Sequence, residues 1–325
     1  MMRTAFVVLL FAATAASAHP TVFPFDPDGS TATFPTAVSD NKKIAGYFTD
    51  DQGAIHGFLR DTNHDTTAIF DPAGAEKTLP TAVNHSGEVA GYFVDQDGKT
   101  HGFRRTTAGD VVPFDIRDGK DTRATAINAS GVITGSVTIR GHPRGFRRSP
   151  DGSVFTFVVP KAPGGTFPIG IDVFGVIAGY WQDKHLLYHG FVRADDGTIT
   201  TFDPPDAYLT APAQINDDGV VTGTFIGNDE ATHAFVREAN GAVTTFDVPG
   251  AFETYGAGTD DRGNLYGQYN DGSGHFHGFV LHRAGNLTPF DAPDATDTTV
   301  SAVNFRGITV GNFLSDRRHG FYRTR

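Results

Sequence analysis

Four side chains in this sequence could move protons: His185, His275, Tyr255 and Glu253. An imidazole titrates near neutrality and can act as general base, a phenol can return a proton to a leaving oxygen, and a carboxylate can orient the base or hold a cation. Together they would suit a polysaccharide or ester lyase, in which the base removes a proton next to a carboxylate. Around them stand residues suited to a sugar chain. Trp181, Tyr208 and Tyr255 offer flat apolar faces, while Asp183, Tyr188 and Arg123, with Lys120 nearby, offer polar partners for hydroxyl groups. These residues fall in the stretches "WQDKHLLYHG", "DGSGHFHG", "PGAFETYGAG" and "RDGKDTR" and near them, all read as loops.

What must position such loops is a repeat. His-Gly-Phe occurs at His56, His101, His189, His277 and His319, with His233-Ala234-Phe235 and Arg144-Gly145-Phe146 as variants. Successive copies stand 45, 43, 45, 44, 44 and 42 residues apart, which makes seven. Phe-Asp also recurs seven times, at Phe25, Phe70, Phe114, Phe157, Phe202, Phe246 and Phe290, and loses its aspartate only at Val158. A third element, Gly followed by an apolar stretch and Gly-x-aromatic, appears as "SGEVAGYF" and "FGVIAGYW"; "SGVITGSV" lacks the aromatic.

Each unit of about 44 residues divides into four short apolar segments, "TAVN", "EVAGYF", "THGFRR" and "DVVPFD" in the second. Four strands per unit with turn residues between them predict a β-propeller blade. The three short gaps suit hairpins, whereas "PAGAEKTLPT" is long enough to cross from an outer strand to the inside of the next blade. That makes "TAVN" the channel-lining strand and Phe-Asp the outermost. The first Phe-Asp, at Phe25, then has its partner in the last His-Gly-Phe, at His319, and their pairing closes the ring. The expected fold is all-β: a seven-bladed propeller of four-stranded blades in a single domain, residues 19–325.

The repeat resembles that of the HAF-repeat family of predicted extracellular bacterial proteins, with "HAF" itself at His233 and "HGF" elsewhere. The resemblance covers nearly the whole mature chain and implies a secreted, propeller-like repeat protein. It carries no reaction over to these positions. Set against a structure-serving role, recurrence argues that the His and Asp of the motifs hold the blades, because a catalytic group is needed once or twice and not in every unit.

Composition sets further bounds. Arg3, the apolar run that follows it, and Ala16-Ser17-Ala18 read as a secretory signal over Met1 to Ala18, leaving His19 first in the mature chain. No stretch is apolar enough to span a bilayer, and the expected location is secreted or periplasmic. Cysteine is absent, so no disulfide and no thiolate metal site can form. The formal charge of −11 disfavours nucleic acid as a partner. "DPDG" and "DQDG" resemble the start of calcium loops but lack the remaining ligands, and His19 has no partner histidine for copper. No cofactor is expected; a single divalent cation at the channel mouth is the one metal reading left open. Elbow, zincin, phosphate-loop and dinucleotide motifs are absent.

Two functional readings follow. The first is a secreted binding platform for a carbohydrate or a protein surface. The second is an extracellular lyase using the His and Tyr residues above. They divide on geometry: convergence of His185, Glu253, Tyr255 and His275 favours the enzyme, dispersal the platform.

Overall fold

A computed structural model describes residues 21–325; the signal segment Met1 to Ala18 and His19 lie outside the described residues. The chain there is all-β, with 28 strands and no helix, hence none long and apolar enough to cross a membrane. The strands pair antiparallel in groups of four. Set 2 is typical: Ala75–Val83, Val89–Asp95, Thr100–Arg105 and Val111–Phe114, each paired with the next. Parallel bridges join some neighbours, so the hydrogen-bonded sheets contain twelve, four, four and eight strands. The strand Val22–Phe25 pairs with Arg318–Arg323, as the terminal Phe-Asp and His-Gly-Phe motifs predict.

Seven first strands, Ala32–Val38, Ala75–Val83, Gly119–Ile127, Gly165–Ile171, Ala207–Ile215, Glu253–Thr259 and Asp297–Val303, border one central cavity of about 180 Å³. Each carries a bulge at the same place, after Pro35, Pro80, Ala124, Pro168, Pro212, Gly256 or Val300. A bulge tolerates proline, which has no N–H for the ladder, and turns the extra residue inward. In sets 1 to 3 that residue is a threonine, and Thr36, Thr81 and Thr125 donate to the carbonyls of Pro80, Ala124 and Pro168 in the following set. One turn lower, Asn84, Asn128 and Asn304 donate to Asn128, Asp172 and Ser39 in the same forward sense. The last of these joins residues 265 apart in sequence.

Packing explains why the motifs read as they do. The Phe of Phe-Asp in one set meets the Phe of His-Gly-Phe in the next edge to face: Phe25 with Phe58 at 5.9 Å, Phe70 with Phe103 at 5.9 Å, Phe202 with Phe235 at 5.8 Å. Phe58, Phe103 and Phe235 are fully buried. Their rings need room. A Cβ at Gly91 would lie 2.4 Å from the Leu79 carbonyl oxygen and 2.7 Å from Phe103 Cζ, so "AGYF" must keep its glycine. An arginine at the far end of the third strand then caps the outer ring, as Arg105 does over Phe70 at 5.2 Å.

The recurring histidine is held between two carboxylates. His101 lies 2.9 Å from Asp115 and 3.1 Å from Asp95, and His319 lies 2.6 Å from Asp26 and 2.8 Å from Asp316. Each imidazole also faces an aromatic ring on the second strand: His189 stacks on Trp181 at 4.6 Å and His233 on Phe225 at 4.8 Å. On the far side, the Phe-Asp carboxylate accepts from a threonine of the following first strand, Thr33 to Asp26 and Thr210 to Asp203 at 2.5 Å. The threonine bond forms at Asp26, Asp71 and Asp203; the histidine with its aromatic and two carboxylates recurs in every set but the third, where Val137, Arg144 and Val158 replace aromatic, histidine and aspartate. The calcium-like stretches are spent on it: Asp95 also closes its own turn, accepting from the backbone N–H groups of Asp97 and Lys99.

These contacts set the pH response. The hydrogen bond to Asp71 raises the pKa of His56 above 6.5, and Asp50 adds to it against the pull of burial. For His101, His233, His277 and His319 burial acts downward, but the paired carboxylates outweigh it and the pKa is again raised. On the acid side, Ser273 hydrogen bonds hold Asp271 at about 2, and the His319 bond holds Asp316 at about 2. Raised histidines contribute fully below pH 6.5 and lose that contribution as pH rises through their folded pKa. Depressed aspartates contribute above 3.8 and lose it as pH falls. The melting temperature should therefore peak between these two values and decline on both sides; a melting curve that is flat or rising from neutral into alkaline pH would contradict the pairing. Replacing Phe235 by Ala should cost about 3–5 kcal/mol in denaturant unfolding, the range for a fully buried phenylalanine. Asp26→Ala, which removes partners of His319, Arg317 and Thr33 at once, should lower the melting temperature more than Asp247→Ala, whose side chain is 56% exposed.

Candidate binding cleft

The residues that follow the buried threonine on each first strand, and those paired with them on the second, build one end of the channel. In set 1 these are Phe34 and Tyr47, stacked at 4.9 Å; in set 4 they are Phe167 and Tyr180, stacked at 5.0 Å. Set 2 pairs Leu79 with Tyr92, and set 3 pairs Arg123 with Ser136. Ser136 thus stands where three other sets carry tyrosine. The missing ring leaves a cavity of about 420 Å³, lined by Tyr92, Arg123, Ser136, Phe167 and Tyr180 among others. The Arg123 guanidinium lies over the Tyr92 ring at 5.2 Å and has neither hydrogen bond nor ion pair with any described residue. Burial, with Tyr188 beside it, raises the Tyr180 pKa, so this phenol stays protonated and can donate. Stacking faces and a free planar donor set can hold a ring-shaped ligand carrying hydroxyl or anionic groups.

Of the residues singled out from sequence, the cleft takes one, Arg123, as part of its wall; Tyr188 is outside the lining and packs on Tyr180 at 4.9 Å. Trp181, expected in a loop, lies in the strand Ile177–Gln182 and does for His189 what Phe93 does for His101, packing into the apolar cluster of its set. Asp183 accepts from the backbone N–H groups of His185 and Leu187 at 2.7 and 3.0 Å and lies 3.9 Å from His189. Tyr208 is 55% exposed at the start of its strand.

The four residues proposed for proton transfer do not form one constellation. Glu253 and Tyr255 sit in a first strand and not in a loop, because backbone pairing with Asn270 and Gln268 extends the sheet through them. They do meet. Burial and the negative charge of the neighbouring Glu253 raise the Tyr255 pKa, which weakens it as an acid. His275 lies 3.7 Å from Asp297 instead, and its neighbour Phe276 packs against the Tyr255 ring at 6.0 Å. His185 is exposed in set 4, two sets away. Among the described residues no hydrogen bond or ion pair joins either histidine to Glu253 or Tyr255, and no group of three or more His, Asp or Glu is placed to hold a metal ion.

Sequence reasoning missed Tyr92, Ser136, Phe167 and Tyr180. The repeat motif does not mark them: the aromatic missing from "SGVITGSV" is at Val137, and Ser136 falls on the variable position of Gly-x-aromatic, tyrosine in sets 1, 2 and 4 and Thr224, Gln268 and Asn312 in sets 5 to 7.

No family model matches this sequence, and no curated protein does. Solved structures are similar in fold. A streptogramin B lyase superposes with a TM-score of 0.61 at 13% identity, over 93% of this chain and 97% of that one. A catalytically inactive histidine variant of virginiamycin B lyase from Staphylococcus aureus, with quinupristin, gives 0.62 at 16% identity over 94% and 100%. A prolyl endopeptidase gives 0.61 at 14% identity over 89% of this chain, which spans about half of that one, 47%. The parts matched are β-propellers, and at such identities the likeness is one of fold: the chain is an all-β protein of propeller type.

Proposed function

We propose that this chain is an exported seven-bladed propeller of the HAF-repeat kind, closed by its first and last strands, and that it serves as a carbohydrate-binding platform. The pairing of Val22–Phe25 with Arg318–Arg323 and the hydrogen bond from Asn304 to Ser39 support the closed ring. The observation that carries the binding reading is the cleft at Ser136, where the rings of Tyr92, Phe167 and Tyr180 border a free guanidinium. Sugar rings stack on such faces through their C–H surfaces, and Arg123 supplies donors to their oxygens. A protein surface is the other partner class for this face.

The lyase reading keeps one support, the contact of Tyr255 with Glu253 in set 6. The two readings part in one assay. The purified protein, incubated with a panel of neutral and acidic polysaccharides, should retain at least one without generating unsaturated ends. New unsaturated ends that vanish in Tyr255→Phe would establish the lyase instead.

Ser136→Tyr, which restores the side chain of sets 1, 2 and 4, should leave the melting temperature unchanged and abolish retention. Arg123→Ala should weaken affinity by about 1–2 kcal/mol, roughly tenfold. Undiminished retention by Ser136→Tyr would remove the cleft as the site.

A further inference from the structure

Set 3 departs from the other six at four linked positions. Val137 replaces an aromatic, Arg144 replaces histidine, Val158 replaces aspartate, and the two-residue turn Arg140-Gly141 replaces the aspartate-bearing loop; Ser136 stands where sets 1, 2 and 4 carry tyrosine. Both turn residues have positive φ, 51° and 81°, so the hairpin is tight and brings no carboxylate back over the strand. In set 2, by comparison, Asp95 and Asp115 flank His101 within 3.1 Å. Arg144 has neither acid. Its Nε is buried without a partner, and no described residue forms an ion pair or hydrogen bond with it. Asp118, on the preceding crossing segment, pairs with Arg117 at 3.9 Å.

A guanidinium left beside a place that six sister sets fill with carboxylate is a cation awaiting an anion. The position adjoins the cleft: Val137, opposite Arg144 in register, and Pro143, next to it in the strand, both line the cavity. Arg144 stands one strand further from the channel than Ser136.

We infer that the ligand is an acidic polysaccharide, whose uronate carboxylate takes at Arg144 the place the protein's own aspartates take elsewhere, while a neighbouring sugar ring lies in the cleft. This rests on the carbohydrate reading above and adds the charge and the residue that reads it.

Calorimetric titration of the full chain with a galacturonic acid oligomer and with its methyl ester tests it. The acid form should bind about tenfold more tightly, with the preference fading as salt is added. Arg144→Gln should erase the preference while retaining ester binding and the wild-type melting temperature. Val158→Asp, which supplies an internal carboxylate, should erase it too without removing the arginine. Equal binding of acid and ester by the wild type, or a preference that survives both substitutions, overturns the anion site and leaves the platform standing. Tighter binding of a sulfated oligosaccharide overturns the carboxylate assignment. Binding of neither oligomer, with retention of some other glycan, overturns this inference alone; retention of no glycan overturns both.

Discussion

Neighbouring sheets in this protein are held together by a phenylalanine lodged between them, in room that glycine leaves. The ring of His-Gly-Phe fills the gap, the ring of Phe-Asp from the preceding set meets it edge on, and an arginine covers the outer ring. Because the contact is between sets, no sheet buries its own apolar face alone. This is why the motif must recur at nearly constant spacing, and why the strand Val22–Phe25, far from its set in sequence, brings Phe25 against Phe58.

The polar layer follows from that apolar one. Once the phenylalanine is fixed, the histidine two residues earlier projects from the same side of the strand, over the aromatic of the second strand and between two loop carboxylates. The imidazole therefore ties the loops at that end to the sheet beneath. Those carboxylates also anchor a threonine of the next set in sets 1, 4 and 7, so a loop and a neighbouring sheet are fastened by one group. Set 3, without the tie, is the place where the wall is open and a cation stands unpaired.

The fold was legible in the sequence because its period is written in side chains that pack between units. The inner strand "TAVN" and the pairing of the two ends follow from loop length and from the orphaned motifs, and the strand ladder agrees with both. The site was less legible. Trp181 is conspicuous as the sole tryptophan, yet it occupies the scaffold place of Phe93 and Phe225. Glu253 and Tyr255 looked like loop residues because glycine and proline precede them, but the sheet's hydrogen bonding runs on through both. What sequence could not supply was which residues of different sets share one wall: Tyr92 and Tyr180 lie 88 positions apart and meet only because the sets between them turn about an axis.

The asparagine bonds below the channel carry one more implication. Each of the three reaches forward to a backbone oxygen of the following set, and the step from Asn304 to Ser39 is chemically the same as the step from Asn84 to Asn128. The arrangement does not register where the polypeptide begins. A circularly permuted chain, opened in another crossing segment with its old ends joined, would recover the same bonds.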